Sequence, residues 1–457
     1  MLRIALAQTP GTRLDQWRET RELVGEMVAR AAKERADIVL LPECVWPAYF
    51  IGSVDEYFRA REAELPGDNA FLEQLTHLAR TAGIAICAGS VAECERRLSN
   101  AATLISATGE VLGTHRKCFR WDFDYAFFET GCEINPVETP WGSVGLMICA
   151  DARLPEITAT LVARGARLIL HPTAWVNVGT PEALWNPQPA LLIPERAREF
   201  GLPIASASKW GVEGSTTFVG SSLICDAKGE VLAQCGTHET SVIVAEVSLE
   251  APQRPELTPA RRARLLSSQP AVPVSASVPR LSVASLKDGS QIDAALNTLR
   301  STDALPALLV ANAPGVHSAR GNDWLLLNGP TDRIRMLGAA RIAAVADRDA
   351  NGFAAIRTLA LDGVHLVVVF GQGASVGTLR SRAAENRIFI VQVTASGIGA
   401  YDPDGGEART AKPCSEISSE TASGVEALTL DIARSADKEF APRTNPFTER
   451  RPECYEF

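Results

Sequence analysis

The sequence of 457 residues has few of the side chains that usually bind metals, and it has no export or membrane signal. It contains only six histidines, and none of its ten cysteines forms a Cys-x-x-Cys pair, so we predict no metal site. No apolar run approaches the roughly 18 residues that span a bilayer. The first residues, "MLRIALAQTPG", are typical of a buried strand and not of a signal peptide. We therefore predict a cytoplasmic protein with free thiols and no membrane partner.

Basic charge and nucleotide-binding motifs are also scarce. The net charge is −9, which provides no basic face for nucleic acid. Neither a GxGxxG motif nor a P-loop is present, so we predict no cofactor and only a small-molecule substrate as a ligand. The composition, with 46% hydrophobic and 22% charged residues, is ordinary for a globular chain, and its length predicts two domains.

The first half of the chain alternates between predicted buried strands and amphipathic helices. Strands are expected at residues 2–8, 36–43 and 141–149, and hairpins at 100–117 and around the turn "CDAKGE" (225–230). Because the hairpins interrupt the alternation, a mixed α/β sheet covered by helices fits better than a purely parallel, doubly wound fold.

The second half looks like a shortened copy of the first. "GVHLVVVFG" (363–371) repeats "GARLILHPT" (165–173) at an offset of 198 residues, and "RLSVASL" (280–286) echoes the first strand. A stretch rich in Pro, Ser and Arg lies between the halves. These features predict three parts: a catalytic domain at 1–250, an irregular linker at 251–278, and a degenerate domain at 279–457.

The predicted copy lacks the polar residues on which the first half depends. At the offset of 198, Asp347 replaces Cys149, and Asn312 stands where the echo of "LLPE" should end in glutamate. No lysine occurs between residues 287 and 412. We therefore predict that this domain is non-catalytic and that it pairs with the first domain in place of a second subunit. A further homo-oligomer stays open.

Three polar residues lie at the ends of predicted strands in the first half: Glu43, Lys117 and Cys149. Strand ends in α/β folds converge at one edge, so the three can meet there. A thiol attacks a carbonyl or nitrile carbon only as the thiolate, so it needs a base or a cation nearby. A buried Glu43 can take the proton, Lys117 can stabilise the developing anion, and the backbone N–H of Ala150 can be a second oxyanion donor. Each residue alone is more typical of a structural or surface position.

Together, four motifs resemble the nitrilase superfamily of carbon–nitrogen hydrolases. They are "LLPE" (40–43), "HRK" (115–117), "FFETG" (127–131) and "GLMICADARLPE" (145–156), and they occur in the order and near the spacing of the family. The resemblance covers residues 1 to about 250. It implies an αββα sandwich, with Glu43 as general base, Lys117 as cationic stabiliser and Cys149 as nucleophile. The predicted fold is thus α/β, a duplicated sandwich whose second copy is shortened.

The resemblance also suggests further site residues. Asp124 stands where many members have a second glutamate, and Glu129 is the other candidate for a second acid. Arg153 either holds a substrate carboxylate or pairs internally with Asp151 or Glu156, and we favour the internal pair.

The last candidate is Trp175, which follows a predicted strand and either lines a substrate pocket or packs in the core.

The sequence "Cys-Ala-Asp" at the nucleophile resembles the amidase and carbamoylase branch, because nitrilases proper tend to have Cys-Trp-Glu. We therefore predict a hydrolase that cleaves an amide or N-carbamoyl bond through a thioester. Nitrile hydrolysis and acyl transfer would use the same triad and stay open. A non-catalytic binding or regulatory protein of the same fold is the alternative from another class, and the intact triad argues against it.

Overall fold

The computed structural model forms two compact units, which we call the N-terminal and C-terminal units. The N-terminal unit comprises Met1–Glu256, Phe440–Thr444 and Glu449–Phe457, and the C-terminal unit comprises Leu257–Glu439 and Asn445–Thr448. The structure describes residues 1–275, 277, 280–286, 293, 295–297, 307–311, 318–321, 323–395, 397–407 and 426–457. Asn312 lies outside the described residues.

The N-terminal unit contains thirteen strands and six helices. The strands are β1 Leu2–Pro10, β2 Ile38–Leu40, β3 Ala85–Cys94, β4 Arg97–Ile105, β5 Val111–Arg116, β6 Val137–Thr139, β7 Gly142–Leu146, β8 Leu168–Thr173, β9 Ile204–Glu213, β10 Thr216–Val219, β11 Leu223–Cys225, β12 Val231–Gln234 and β13 Ser241–Val247. The helices are α1 Trp17–Lys33, α2 Val54–Ala63, α3 Asp68–Ala82, α4 Asp124–Phe127, α5 Pro155–Ala163 and α6 Ile193–Phe200.

These strands form two sheet halves that pack face to face. One half has the order β13-β1-β2-β3-β4-β5, and the other contains β6-β7-β8-β9 with β11 and β12; the end of β1 joins them by pairing with β9. Apolar side chains from both halves, such as Leu6, Leu40, Leu146 and Leu170, form a shared core. This is the α/β architecture with two inner sheet layers that the sequence predicted.

Strand β1 shows why helices cover the outer faces. Successive side chains of a strand point to opposite faces. Ile4 and Leu6 therefore enter the core between the sheets, while Ala5 and Ala7 belong to the core under the helices. Helix α1 supplies that outer core with a stripe at helical spacing, including Val24 and Val28.

The C-terminal unit contains two further sheets in its described residues. Its strands are β14 Leu281–Leu286, β15 Ala307–Ala311, β16 Ala319–Arg320, β17 Trp324–Asn328, β18 Thr331–Leu337, β19 Ala340–Ala346, β20 Leu366–Phe370, β21 Phe389–Thr394, β22 Gly397–Tyr401 and β23 Glu426–Leu430. Its helices are α7 Pro259–Leu266, α8 Asp347–Ala350, α9 Phe353–Leu361 and α10 Val376–Asn386. The sheet orders are β16-β17-β15-β14-β23 and β18-β19-β20-β21-β22, and side chains from both sheets share one core.

Several elements of the C-terminal unit lie at the offset seen in the sequence. Strand β20 and helix α9 each begin 198 residues after β8 and α5. The turns at Asp226 and Asp402 lie at a shorter offset but have the same hydrogen bond, because each aspartate N–H donates to the carbonyl four residues later. The degenerate character of this unit stays a prediction.

Two stretches differ from the expected organisation. The linker at 251–278 was expected to be irregular, but it contains α7, whose first turn is capped by the Thr258 side chain. The end of the chain was assigned to the second domain, whereas Phe440–Thr444 and Glu449–Phe457 belong to the N-terminal unit. The composition of the linker did not indicate helix α7, because Pro also suits the first turn of a short helix and Arg also suits its exposed face.

None of the helices in the described parts of the chain is long and apolar enough to cross a bilayer.

Candidate active site

Glu43 lies just beyond strand β2 and is fully buried. Its backbone N–H donates to the carbonyl of Thr173, at the end of β8, over 3.3 Å. Gly89 on β3 permits this path, because a Cβ atom there would lie 2.6 Å from the Glu43 Cα. The chain therefore carries a carboxylate to the point where β2 and β8 end, beside the middle of β3.

Lys117 follows strand β5, and its ammonium group lies between two buried carboxylates. Its Nζ lies 2.6 Å from Glu43 Oε1 and 2.7 Å from Asp124 Oδ2. Asn100 also donates to Glu43 Oε1, over 2.7 Å, and the Tyr49 hydroxyl donates to Asp124 Oδ1 over 2.9 Å. Each of the two carboxylates that contact the lysine is thus also held by a further buried side chain.

The charges in this cluster shift the pKa values of its members. Burial raises the pKa of Glu43, the Lys117 ammonium lowers it, and the Asp124 carboxylate raises it again, so the net shift is upward. Burial lowers the pKa of Lys117, but Asp124 and Glu43 outweigh burial and hold that pKa well above its usual value. The lysine therefore stays charged, and Glu43 is a better proton acceptor than an exposed glutamate.

Cys149 begins a short 3₁₀ turn, Cys149–Arg153, which follows β7 after Met147 and Ile148. Its φ of 43° lies in the left-handed region, which non-glycine residues rarely adopt and which stores about 1–3 kcal/mol of strain. Its thiol lies 3.9 Å from the Ala174 carbonyl. Burial and the Glu43 charge raise the pKa of the thiol to about 12 although Lys117 lowers it, so the resting sulfur is protonated.

Asp151 ties the Cys149 turn to the segment that follows Lys117. Its carboxylate faces four nitrogens: the backbone N–H groups of Cys118 (3.1 Å), Phe119 (2.7 Å) and Ile148 (3.0 Å), and the Nε2 of His115 (3.0 Å). All of these contacts are buried. One side chain thus fixes the spacing between the candidate nucleophile and the candidate cation.

His171 on β8 holds the backbone of Cys149. Its Nε2 lies 2.9 Å from the Cys149 carbonyl oxygen, and its Nδ1 lies 2.9 Å from the Ser206 hydroxyl. Burial lowers its pKa to about 4, against the opposing effect of the bond to Cys149. The ring is therefore neutral near pH 7.

This neutral histidine predicts a loss of stability in mild acid. Below pH 6.5 the unfolded chain binds a proton at His171, while the folded chain does not until pH 4, so the free energy of unfolding falls between these values as the pH drops. The full difference is about 3 kcal/mol. Urea unfolding at pH 6.5, 5.5 and 4.5 should show a shallower decline for His171→Gln than for the wild type. Parallel curves for the two proteins would contradict the prediction.

The remaining predicted site residues differ in their burial and in their contacts with the buried cluster. Asp124 joins the cluster through Lys117. Glu129 is exposed, so its carboxylate lies outside the buried cluster; its backbone N–H donates to Leu98 over 2.8 Å. Ala150 is buried in the Cys149 turn. Trp175 is fully buried, with its ring centroid 6.2 Å from that of His171.

Arg153 is buried between aromatic rings. Its guanidinium lies 4.9 Å from the ring centroid of Trp121 and 4.5 Å from that of Phe440. Of the two acids that we considered as partners, Asp151 faces His115 and three backbone amides, and Glu156 lies 3.2 Å from the Arg450 Nε. The surroundings of Arg153 thus include a residue from the far end of the chain.

That far end forms what we call the C-terminal strap, Phe440–Thr444 and Glu449–Phe457. It contacts both segments that carry site residues. On the Asp124 side, the Asp122 N–H donates to Thr444 Oγ1 over 2.8 Å, and Arg451 donates to the Gly131 carbonyl over 3.2 Å. On the Cys149 side, Arg450 pairs with Glu156 of α5, and Glu456 lies 2.9 Å from Arg164.

The strap contacts predict unequal losses of stability. Arg450 and Glu156 are both almost fully buried, and removing one partner of a buried pair costs about 3–5 kcal/mol. We expect Arg450→Leu to lower the free energy of unfolding by that amount. Glu456→Ala, which removes a pair that is 29% and 57% exposed, should cost less than about 1 kcal/mol. Urea unfolding of both variants measures this, and equal losses would contradict it.

Sequence reasoning missed Asn100, Tyr49, His171 and the strap. His171 carried a visible signal, since it is a polar residue inside the apolar strand "LILHPT". Asn100 is likewise a polar residue in the buried strand β4. The strap had no such signal.

Within the described residues, no group of three or more His, Cys, Asp or Glu side chains is arranged to hold a metal ion.

Comparisons with known proteins agree with the predicted resemblance. Residues 3–254 match the family model described as carbon-nitrogen hydrolase. The chain is 32% identical over 236 residues to the omega-amidase NIT2 of Xenopus tropicalis, a match that covers 49% of this chain and 81% of that protein. It is 31% identical over 225 residues to a nitrilase of Pyrococcus abyssi, with coverage of 49% and 81%.

A solved structure is also similar. It is a mutant of the amidase from Nesterenkonia sp. AN1 after addition of acrylamide at its active-site cysteine; it is 28% identical, with a TM-score of 0.46, and the match covers 54% of this chain and 94% of that chain. From the family match, the chain belongs to the carbon–nitrogen hydrolase family, and the predicted resemblance is confirmed. The chain is therefore an enzyme of the hydrolase class.

Proposed function

We propose that the enzyme hydrolyses an amide or N-carbamoyl bond outside peptides, with Cys149 as nucleophile, Glu43 as general base and Lys117 as cationic stabiliser. The observation that carries the proposal is the buried lysine, whose Nζ contacts the carboxylates of Glu43 and Asp124. The Cys149 thiol lies close enough to be influenced by both Glu43 and Lys117. The name of the omega-amidase relative favours amides as substrates.

The proposed first half-reaction starts from a protonated thiol and an ionised Glu43. The thiol proton moves to Glu43 as the sulfur attacks the carbonyl carbon, so the carboxylate charge of Glu43 disappears as the oxyanion charge forms. The site, counted as Lys117, Glu43, Asp124 and the reacting atoms, therefore keeps a net charge of −1. Keeping the charge constant avoids the large desolvation penalty of an additional buried anion. The oxyanion is stabilised by Lys117 and by the Ala150 N–H.

The first half-reaction ends as the carbon–nitrogen bond breaks and Glu43 returns its proton to the leaving amine or ammonia; the second half-reaction is hydrolysis of the thioester. Water then attacks the thioester, Glu43 takes a proton from that water, and the thiol regains it as the acid leaves. Glu43 Oε2 is suited to this exchange, because it is buried and makes no hydrogen bond in the structure. Asp124 is proposed as a positioning residue that orients Lys117 through their contact of 2.7 Å.

Trapping of the acyl-enzyme tests this proposal. The full chain is mixed with simple amides, N-carbamoyl compounds and nitriles, and its intact mass is followed over seconds to minutes. We expect a mass increase equal to the acyl group for an amide or N-carbamoyl compound, located on Cys149 by peptide mapping. An adduct formed only from nitriles would replace amide hydrolysis by nitrile hydrolysis. Release of the acyl group to an added amine and not to water would indicate acyl transfer.

We assign the described residues of the C-terminal unit no part in the proposed chemistry. Asp347, which occupies the position matching Cys149, accepts the Gly373 N–H over 2.6 Å and has a carboxylate in place of a nucleophilic thiol. Pairing of the two units and a further homo-oligomer stay predictions, as does a cytoplasmic location.

A further inference from the structure

The peptide group between Cys149 and Ala150 has a separate partner for each of its two polar groups. Its N–H is the proposed oxyanion donor, and its carbonyl oxygen lies 2.9 Å from His171 Nε2. A peptide group is planar and trans, so its C=O and N–H point in opposite directions. Whatever fixes the carbonyl therefore also fixes the direction of the N–H.

The tautomer of His171 follows from its partners. The Cys149 carbonyl can only accept a hydrogen bond, so Nε2 must carry the proton. Because the ring is neutral, Nδ1 is unprotonated and accepts from the Ser206 hydroxyl, 2.9 Å away. His171 and Ser206 are register partners on the parallel strands β8 and β9, and both are fully buried. The sheet thus sets the tautomer.

The Cys149 backbone requires such support. Its φ of 43° is unfavourable for a residue with a Cβ, and relaxation of this strain would rotate the adjacent peptide group. The bond from His171 opposes that rotation from the side opposite to the proposed oxyanion. A rotation that moved the N–H away by 1 Å would weaken catalysis strongly.

We infer that His171, with Ser206, is a positioning residue that orients the Ala150 N–H toward the oxyanion of the reaction. This inference rests on the proposed function, and it assigns to His171 no contact with the substrate. It predicts that loss of His171 slows reactions that form an oxyanion at carbon and leaves other reactions of the thiol unchanged.

Two reagents distinguish an effect on the oxyanion from an effect on the thiol itself. Acylation by p-nitrophenyl acetate forms a tetrahedral oxyanion, whereas methyl methanethiosulfonate reacts by attack of the thiolate at sulfur and forms none. We compare the full-length wild type with His171→Phe and His171→Gln, measuring both rate constants at Cys149 by mass spectrometry. Gln keeps a terminal N–H donor of similar reach.

The matched control is His365→Phe. His365 in the C-terminal unit is also buried, with its Nε2 lying 2.9 Å from the Ser275 carbonyl and its Nδ1 accepting the Arg341 N–H over 3.0 Å. This substitution therefore removes hydrogen bonds like those of His171, at a position far from Cys149 in the sequence. We expect both rate constants of the control, corrected for the folded fraction, to stay within threefold of wild type.

For His171→Phe we expect acylation to fall about 100-fold, near the loss caused by removing an oxyanion donor, and thiomethylation to change less than threefold. His171→Gln should recover at least tenfold of the lost acylation rate. Acylation within threefold of wild type in the folded Phe variant would overturn the inference, as would an equal fall in both reactions.

If the Phe variant does not fold, Ser206→Ala decides, since it removes the hydrogen bond at Nδ1 that supports this tautomer while keeping the ring. We expect about a fivefold slower acylation with unchanged thiomethylation, and an unchanged acylation rate overturns the inference. Failure of the wild type to form an acyl-enzyme from any amide, carbamoyl compound or ester would instead overturn the proposed function, and the inference with it.

Discussion

Cys149→Ala should abolish acyl-enzyme formation and reduce turnover by at least about 10⁴-fold, because no other group can form the thioester. The fold should tolerate the change. A small side chain replaces a small one, and the contacts that fix the turn come from Asp151 and His171. We expect the free energy of unfolding to change by about 1 kcal/mol or less. The measurements are steady-state turnover, intact mass after substrate addition, and urea unfolding.

A matched control is Cys94→Ala, which removes an exposed thiol from β3 of the same unit. It should keep full turnover and the full mass adduct. Turnover by the Cys149 variant within a factor of ten of wild type would end the covalent mechanism. Loss of activity in both variants would indicate that the assay reports on thiols in general.

Lys117→Met should lower kcat/KM by about 10³-fold or more, since it removes the charge proposed to stabilise both thiolate and oxyanion. It also leaves two buried carboxylates, Glu43 and Asp124, that had shared one cation. Like charges in one site raise the pKa of a carboxyl, so the two carboxyls share one proton, and Glu43 cannot accept the thiol proton while it holds that proton. Thiomethylation of Cys149 should therefore slow as well, which distinguishes this variant from His171→Phe.

Lys209→Met is the matched control for the loss of a buried cation. Lys209 and Glu213 are both fully buried and lie 2.8 Å apart, so breaking their pair should destabilise the fold by about 3–5 kcal/mol, as at Lys117. After correction for the folded fraction, we expect its kcat/KM to fall less than tenfold. Equal losses for the two lysine variants would assign Lys117 a structural role only.

The placement of Glu43, Lys117 and Cys149 could be predicted because each is a polar residue at the end of a predicted strand. The order of strands in a sheet brings such ends together without detailed knowledge of packing. Asp124 followed only from the resemblance to the family, by counting back seven residues from Gly131.

The environment of Arg153 could not be predicted from the same evidence. Phe440, which packs on its guanidinium, lies almost at the other end of the sequence. Nothing in "ADARLPE" indicates that contact, and the two acids nearby in sequence were the only visible partners. The same holds for Glu156, whose partner Arg450 is 294 residues away. Long-range pairs of this kind have no local pattern, whereas strands and helices do.

The C-terminal strap has a consequence for synthesis of the protein. The ribosome completes residues 1–256, with every proposed catalytic group, long before it reaches residue 440, and residues 257–439 must emerge in between. Until then the nascent N-terminal unit holds Glu156 without Arg450 and lacks the strap contacts at Asp122 and Gly131. A chain released early by premature termination keeps that defect permanently. The strap therefore couples completion of the catalytic unit to translation of the whole intervening segment. Truncated products lack the strap, so proteases and chaperones encounter an incomplete N-terminal unit.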